Sequence, residues 1–307
     1  MPLPNVFNIG RQVKGWFYET AGAIVPTWKQ YATEGSSDGP SEQLWWMGSL
    51  PQPYEFAGEY GFQGLLDFTY SIENLEYVLS FLIDLKSIED NPDGAIPKRI
   101  TQAATFWEMF KNQQFATLLE AGGTLTGYDG LTFFNTAHLK GLATLDNAKT
   151  DSGWTSATVV TTAQFLTSFE LMKATLLNYG DDQGRGGMFN ALASKNLRLL
   201  VPAQLERAAR EVLNAEIIVN TTNAFANGAA DLDVLPILSS TSGAIYLAAV
   251  GDPTSRPIIF QTRTQPEITV FDDRLSVVDN HGLKVIVRQR YRMQYGEYGR
   301  IVRLVGS

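Results

Sequence analysis

Apolar residues recur at helical spacing between Pro97 and Gly122. Pro97 suits the first turn of a helix because its missing N–H needs no partner there. Gly122 and Gly123 can end the helix in the left-handed backbone conformation, which is unfavourable for residues with a Cβ. The pattern predicts one long helix, which we call the spine helix, with a sheet packed against its apolar face. The residues of that face are Ile100, Ala103, Ala104, Trp107, Phe110, Phe115, Leu118 and Leu119.

The preceding segment, 51–90, has a period of two instead. Apolar and polar residues alternate through 66–73 and again through 75–85. This alternation predicts two strands, arranged either as a hairpin or as a long extended loop. Its tip is predicted at 58–61 or at 73–74, and both places contain suitable turn residues. Because a two-stranded ribbon is marginal alone in water, it needs a partner in its own domain or in a neighbouring subunit.

Residues 1–50 form an N-terminal arm in this interpretation. Prolines and glycines interrupt the arm before a long periodic element can form. Ser41 is a predicted N-cap for a short helix that runs through Met47. The aromatic residues of the arm need cover, and two alternatives stay open: the arm docks on another surface, or it folds onto its own core.

Beyond the spine helix, strands and helices follow in the order of a mixed α/β region. The predicted elements are a strand at 133–134, a loop at 140–158, a helix at 162–177, a turn at 180–187, a strand at 197–201 with a helix after Pro202, and strands at 232–238, 244–250, 258–262, 268–271 and 283–295.

The composition is that of a folded protein. A chain of 307 residues with 44% hydrophobic content can build one large domain or two ordinary ones. Its apolar runs are too short to cross a bilayer, and its net charge of −8 argues against a nucleic-acid binder that works through overall positive charge. The absence of cysteine excludes disulfides and thiolate chemistry, and it fits synthesis in a reducing cytoplasm.

The candidate chemical groups are few. A site with several histidine ligands cannot be built from His138 and His281 alone. We expect His138 to be structural, because no nearby acid prepares it as a general base, and His281 to lie in a turn. The glycines of 184–187 lack the spacing of a dinucleotide-binding loop.

Three pairs of acids, 89–90, 181–182 and 272–273, lie in predicted turns, where solvated charge is the ordinary explanation. We therefore predict no catalytic, cofactor-binding or metal-binding residue. One enzyme class is kept as an alternative function, a carbohydrate-active hydrolase, because of these acids and the 11% aromatic content.

The last long strand carries three arginines on one face, Arg288, Arg290 and Arg292. Like charges in a row on a strand repel one another unless acids or phosphates oppose them. Pairing with carboxylates of another subunit is the first interpretation, and contact with packaged nucleic acid is the second.

Short motifs in a fixed order connect the chain with a known family. The stretch 50–138 resembles the Mu-like phage major head subunit family, and similar pieces follow downstream. The motifs are Leu50-Pro51 with Glu55-Phe56-Ala57-Gly58-Glu59, Tyr70-Ser71-Ile72-Glu73-Asn74 with Glu76, Ile88-Glu89-Asp90, Tyr128-Asp129-Gly130 with Phe133-Phe134 and His138, Leu199-Leu200-Val201-Pro202 with Leu205 to Ala209 and Leu213-Asn214-Ala215, and Ala244 to Leu247 ahead of Arg256 to Gln261.

The resemblance implies the α+β capsid fold of tailed phages, often called the Hong Kong ninety-seven fold. Its parts, placed on this chain, are the arm (1–50), an extended β-loop (51–90), a peripheral domain with the spine helix (91–139), a mixed α/β axial domain (140–263), and peripheral β-strands with the C-terminal strand (264–307).

The resemblance also implies a function without an active site. A major capsid protein assembles with copies of itself into hexamers and pentamers of an icosahedral phage head around double-stranded DNA. The expected location is the virion, after synthesis in the host cytoplasm and with no membrane partner. An encapsulin-like compartment is the near alternative. Candidate intersubunit contacts are Trp16, Trp28, Trp45, Trp46, Phe68, Tyr70, Tyr77 and Phe81.

Two departures from the family's relatives refine these expectations. Relatives with a covalent chainmail join a lysine of the extended loop to an asparagine of a neighbour, and 51–85 contains no lysine. The arm is also too short to hold an internal scaffolding domain, so a separate scaffolding protein is expected. A portal protein is a further expected partner, and a decoration protein is left open. DNA contact is expected without sequence specificity.

Overall fold

A computed structural model describes most of the chain. The described residues are 9–47, 67–90, 94–141, 143–154, 156, 159–181, 184–187, 190, 195–218, 221–223, 225, 228–239, 243–273, 277–278 and 281–306.

Helices and strands both contribute to the fold. The α-helices are α1 (Gly10–Ala23), α2 (Trp28–Tyr31), α3 (Leu85–Asp90), α4 (Ala95–Ala121), α5 (Thr162–Asn178) and α6 (Glu206–Asn214). The strands are β1 (Ala32–Ser36), β2 (Ser41–Met47), β3 (Asp67–Glu73), β4 (Leu75–Asp84), β5 (His138–Lys140), β6 (Ala143–Leu145), β7 (Ala148–Asp151), β8 (Leu197–Val201), β9 (Ile217–Ile218), β10 (Thr221–Thr222), β11 (Asp231–Val234), β12 (Ala244–Ala249), β13 (Ile258–Thr262), β14 (Glu267–Phe271), β15 (Gly282–Tyr295) and β16 (Ile301–Gly306).

The first sheet is built around β15, the longest strand. β4 pairs antiparallel with residues Gly282 to Tyr291 of β15 and β14 with residues Lys284 to Arg288, so β4 and β14 lie on opposite edges of it. β13 pairs with its second half, and β1 adds to β13 in parallel. Alternate residues of β15 from Val285 to Tyr295 point into the core, as the sequence predicted.

The second sheet has the order β11-β8-β12-β16-β7. All six residues of β12 are buried, because sheet neighbours flank the strand on both sides and α5 packs against it. The predicted boundaries placed the C-terminal strand with the peripheral strands, but β16 pairs with β12 and β7. The chain therefore crosses from the first sheet to the second between Tyr295 and Ile301.

The predicted spine helix is confirmed as α4, and its 27 residues make a rod about 40 Å long. The predicted apolar face packs inward, with Phe110 and Leu118 at its edge. The predicted left-handed stop is wrong, because Gly122 has φ −65°. Glycine is required there for a different reason: a Cβ would lie 2.6 Å from Cδ2 of Phe134.

Residues 9–36 of the arm fold onto the rest of the chain, so the aromatic residues of this part find cover within the subunit, whereas the side chains of Trp45 and Trp46 lie outside the described residues. The expectation that no long element forms in it is wrong, since α1 has 14 residues and packs along α4. Burial of Val13 and Phe17 outweighs the cost of two internal glycines, Gly15 and Gly22. Trp28 and Tyr31 are buried as well.

The predicted short helix after Ser41 is a strand. β2 pairs antiparallel with β3, and residues 48–66 connect them. β3 and β4 are strands as predicted, but they do not form a hairpin with each other. β3 belongs to the β2–β3 hairpin, whereas β4 joins β15 of the first sheet. Residues 73–74 are thus a corner, and the alternative tip at 58–61 lies outside the described residues.

The remaining predictions were correct for the long elements and less so for the short ones. α5, α6, β8, β12, β13, β14 and β15 lie within one or two residues of their predicted ends, apart from the later start of α6. The predicted strand at 133–134 is an irregular turn, and the predicted loop at 140–158 contains β6 and β7. β11 is shorter than predicted because Leu235 to Leu238 form a turn.

Candidate subunit-contact surfaces

The β2–β3 hairpin is held at its base by a cluster of hydrogen bonds. Asn74 is 6% exposed, and its Nδ2 donates to Ser37 Oγ at 2.8 Å and to the Gly39 carbonyl at 3.0 Å. Its Oδ1 accepts from Gln261 Nε2 at 2.9 Å, which ties the cluster to β13. Because Asn74 is the corner between β3 and β4, these bonds fix the direction in which the hairpin leaves the first sheet.

Glu42 completes this base. Its Oε1 accepts hydrogen bonds from the backbone N–H groups of Asp38 at 2.9 Å and Gly39 at 3.2 Å, and from Ser37 Oγ at 3.1 Å. Those donors favour the ionised carboxylate, so the pKa of Glu42 lies below its usual value, chiefly through the N–H groups of Asp38 and Gly39. The turn that precedes β2 is thus organised around one negative charge.

The face of the first sheet that points away from α4 carries exposed apolar side chains beside cations. Val78 is 58% exposed and Leu82 is 50% exposed, both on β4. Their Cα partners on β15 are Arg288 and Lys284, which are also exposed. Phe271 of β14, which is 38% exposed, is the cross-strand partner of Lys284 on the other side of β15. We call these five residues the ribbon face.

The arginine row has intrachain neighbours that the sequence did not predict. Arg288 donates from Nε and Nη2 to Glu267 of its own β14, at 3.0 and 2.8 Å. This pair is more than half exposed on both sides. The Nε of Arg290 is buried. Burial raises the pKa of Tyr70, and the nearby charge of Arg292 opposes that rise. The row is therefore not a uniform exposed stripe, and Arg288 is its solvent-facing member.

The predicted aromatic contacts divide into three groups. Trp28 is 1% exposed and packs on Phe260 with ring centroids 4.2 Å apart, so it is a core residue of its own subunit and not a contact residue. Four others are partly buried against the core: Trp16, Tyr70, Tyr77 and Phe81. The side chains of the last three lie outside the described residues: Trp45, Trp46 and Phe68.

Sequence reasoning missed the exposed apolar residues on the outer side of α4. Phe106 is 63% exposed and Met109 is 43% exposed. Both lie off the apolar stripe that predicted the helix. A large apolar residue on the polar side of an amphipathic helix was the available signal.

A buried polar cluster lies where the chain crosses between the sheets. Lys140 Nζ donates to Glu297 Oε2 at 3.1 Å, and the Tyr128 hydroxyl donates to Glu297 Oε1 at 2.8 Å. Burial and the charge of Glu297 raise the pKa of Tyr128. Nearby, Gly296 N donates to the Pro257 carbonyl, so the two crossing segments run side by side.

His138 belongs to the same region. Its ring is fully buried and stacks on Tyr298 at 4.0 Å. Nδ1 lies 2.5 Å from Asp129 Oδ2, and Nε2 lies 3.2 Å from the Phe133 carbonyl. The expectation that no acid approaches His138 was wrong, since Asp129 is nine residues away. With both nitrogens in contact inside the core, the ring has the environment of a structural histidine.

Two members of the acidic pairs, Asp182 and the side chain of Glu89, lie outside the described residues. Asp181 pairs with Arg185, and Asp272 accepts from the N–H of Gly10 at 2.9 Å. Among the described side chains, no three His, Cys, Asp or Glu residues gather as a metal site would require. None of the described helices is long and apolar enough to span a membrane.

Comparison with known families decides what this architecture is. The family model described as "Mu-like prophage major head subunit gpT" matches residues 7–170. That match spans more than half of the chain. The chain belongs to the Mu-like major head subunit family. No curated protein matches the sequence significantly.

Solved structures place the head subunit in the fold of phage capsid proteins. The capsid of Cyanophage P-SCSP1u has a TM-score of 0.61 at 9% identity over 92% of this chain and 88% of that one. The procapsid of bacteriophage JBD30 has a TM-score of 0.54 at 18% identity over 97% and 73%. The virus-like particle from Pyrococcus furiosus has a TM-score of 0.57 at 8% identity over 97% and 99%.

This head subunit is therefore a major capsid protein with the Hong Kong ninety-seven type of fold, and its place is the virion. The family is one of structural proteins. The exposed apolar and charged surfaces described above are candidates for contact between head subunits.

Proposed function

We propose that the head subunit assembles into hexamers and pentamers of an icosahedral shell that encloses double-stranded DNA. The family match over residues 7–170 carries this proposal. Heterologous contacts that close into rings generate both capsomers from one chain, provided that the contact tolerates a small change in bend. Synthesis in the host cytoplasm and entry into the virion by assembly follow from the same proposal.

Non-covalent contacts are sufficient for such a shell. A standard interface of ~1,600 Å², about 60% apolar, contributes on the order of 24 kcal/mol before the association cost of roughly 4 to 15 kcal/mol. The β2–β3 hairpin is the main candidate for such a contact, since its base is fixed by Asn74 and the strands pair only with each other within the described residues.

The proposed partners are a separate scaffolding protein, a portal protein and packaged DNA without sequence specificity. A decoration protein is a further candidate, because one similar structure is titled as a JBD30 capsid decorated with minor capsid protein trimers. That structure has a TM-score of 0.56 at 19% identity over 72% of this chain and 93% of that one.

Assembly tests the proposal directly. The chain is produced alone and together with the candidate scaffolding protein of its genome, and the products are compared by sedimentation and negative-stain microscopy. Closed shells with pentameric and hexameric capsomers are expected. Phage genomic DNA or a portal vertex in purified particles separates a phage head from an encapsulin-like compartment. Monodisperse monomers under every condition would contradict the proposal.

A further inference from the structure

Strand β5 places two basic side chains on one buried face. His138 and Lys140 are alternate residues of this strand, so their side chains point to the same side of it. Two acids meet them there: Asp129 comes from the turn after α4, and Glu297 comes from residues 296–300, which we call the crossing segment. All four side chains are at most 9% exposed. The ion pair of Lys140 with Glu297 therefore joins β5 to the segment that carries the chain from one sheet to the other.

Both ring nitrogens of His138 face acceptors. Nδ1 lies 2.5 Å from Asp129 Oδ2, and Nε2 lies 3.2 Å from the carbonyl oxygen of Phe133. A neutral imidazole has one N–H group and one lone pair. Beside an ionised carboxylate, either neutral tautomer would turn its lone pair toward a buried oxygen, which is costly inside a core. The imidazolium has two N–H donors and satisfies both oxygens.

The number of protons in the Asp129–His138 pair follows from one more contact. The other carboxyl oxygen, Oδ1, accepts from the backbone N–H of Leu131 at 3.1 Å, so it is not the site of a proton. One proton therefore lies between Oδ2 and Nδ1, and a second lies on Nε2. The pair carries no net charge, whether the first proton lies nearer to the nitrogen or to the oxygen.

The charges that surround this pair favour the same number of protons. Lys140 and Glu297 balance each other at 3.1 Å. Tyr128 donates to Glu297, and Tyr298 of the crossing segment stacks on the imidazole at 4.0 Å. Burial and the charge of Glu297 raise the pKa of both tyrosines, so both stay neutral. Without the additional proton, these side chains would have a net charge of −1 in an interior that solvates charge poorly.

We propose that the Asp129–His138 pair makes the junction of the two sheets dependent on a proton: the folded subunit holds one additional proton there, and its loss loosens the contact of β5 with the crossing segment. The inference concerns the single subunit and does not depend on the proposed assembly. It gives the head subunit a sensitivity to alkaline pH that originates at the junction.

The direction of the pH dependence follows from the proton count. A histidine in an unfolded chain releases its proton near pH ~6.5, and an aspartate is ionised well below that. Above pH ~6.5 the folded subunit therefore keeps one proton more than the unfolded chain. Its stability falls as the pH rises, until the pair releases the proton as well. A difference of one proton changes the unfolding equilibrium constant by up to about tenfold per pH unit.

Nuclear magnetic resonance detects the proton directly. The chain has two histidines, so a subunit labelled with ¹⁵N in histidine gives signals from two rings. Unassembled wild type near pH ~7.5 should show protons on both ring nitrogens of His138, although a histidine in water is mostly neutral there. The exposed ring of His281 is the reference. His281→Asn assigns the signals, and asparagine tolerates the positive φ of 52° at this position.

Asp129→Asn removes the need for the additional proton. Asparagine keeps an oxygen for the N–H of Leu131, and its amide can donate to Nδ1, so a neutral ring with a proton on Nε2 satisfies every group. Between pH ~6.5 and ~8.5, wild type should lose stability relative to this variant, by up to about tenfold in the unfolding constant per pH unit. His281→Asn is the matched control and should follow wild type.

Amide hydrogen exchange of unassembled subunits locates the change. After correction for the intrinsic effect of pH, exchange in residues 138–140 and 296–300 should accelerate in wild type over the same range of pH. The Asp129→Asn variant should show no such acceleration, because its junction no longer depends on a proton.

Two results would overturn the inference: a His138 ring with one unprotonated nitrogen near pH ~7.5, or the same pH dependence in wild type and Asp129→Asn. If Asp129→Asn does not fold, the resonance measurement on wild type decides alone. None of these measurements requires particles, so a negative result here leaves the proposed assembly standing.

Discussion

Single residues in this subunit are constrained mainly by close approach and by burial of charge. Gly122 shows the first constraint, because its backbone has ordinary helical angles and it is chiefly the Phe134 ring that excludes a side chain. Glu297 shows the second, because it lies 4% exposed between a lysine and a tyrosine. Neither constraint is visible in the local sequence, which contains an ordinary glycine pair and an ordinary acid.

Gly122→Ala should destabilise the unassembled subunit by ~1 to 3 kcal/mol, because the new Cβ would force the Phe134 ring or the end of α4 to move. Gly15→Ala is the control inside α1, where no atom lies within 4 Å of the new Cβ. That change should stabilise by about 0.5 to 1 kcal/mol. Urea unfolding measures both values, and equal midpoints for the two variants would refute the role given to Phe134.

Glu297→Gln should cost ~3 to 5 kcal/mol, because it removes the buried negative charge that lies 3.1 Å from the ammonium of Lys140. The control is Glu206→Gln, which removes an exposed partner of Arg210 and should cost less than about 1 kcal/mol. The same unfolding experiment compares them. A Glu297 variant as stable as the control would mean that Lys140 finds another partner or reaches solvent.

The turn before β2 should respond to acid through Glu42. Its pKa is lower in the folded chain than in the unfolded chain, so its contribution to stability is present above the unfolded value, near 4.5, and is lost as the pH falls through the folded value. Wild type should therefore be more stable than Glu42→Gln at pH 6, and the two should converge as the pH falls to about 3. Denaturation midpoints across that range check this, and a constant difference would contradict it.

At the scale of elements, periodicity predicted what a local pattern can encode. The spine helix, α5, β8 and β15 were predicted together with the faces that they bury, because each of them buries one regular stripe of apolar residues. α1 was missed because its glycines resemble loop signals, although Val13 and Phe17 are covered by α4 and β14. Of the two arrangements predicted for the strands of 51–90, the hairpin of β3 with β4 was wrong, since the pairing of β3 with β2 across 19 intervening residues depends on contacts remote in sequence.

For the candidate contact surfaces, too, the sequence pattern identified apolar residues but not their contacts. The sequence pointed to tryptophans as contacts, yet Trp28 fills the space between α4 and β13. Hydrophobicity alone does not tell a residue that completes its own core from one that awaits a partner. Exposure separates them: Trp28 belongs to the core, whereas Val78, Leu82 and Phe106 are exposed and are candidates for contact with a partner.

Trp28→Ala should destabilise the unassembled subunit by ~3 to 5 kcal/mol, as expected for a large aromatic residue removed from a packed core. Val25→Ala, at a site 77% exposed in the same arm, should change stability by less than about 0.5 kcal/mol. Thermal unfolding of dissociated subunits measures the effect. If Trp28 acted only between subunits, its loss would leave that transition unchanged and weaken assembly alone.

At the scale of the whole molecule, the shell should be held together without covalent links. Residues 51–85, which include the two strands of the extended loop, contain no lysine, so these strands offer no amine for a covalent bond to a neighbour. Particles boiled in detergent should therefore release single chains of 33.9 kDa on a denaturing gel. A ladder of multimers would show that another lysine supplies the link.

α4 connects the two sheets mechanically. Trp107, near its middle, donates to Gln289 of the first sheet at 3.4 Å. At its far end, Gly122 rests on Phe134, and Arg303 of the second sheet lies over the same ring. A rod about 40 Å long that turns by ~5° about one end displaces the other by roughly 3 to 4 Å. A slight tilt between the sheets is thus converted by leverage into a displacement of several ångströms at the far end of the helix.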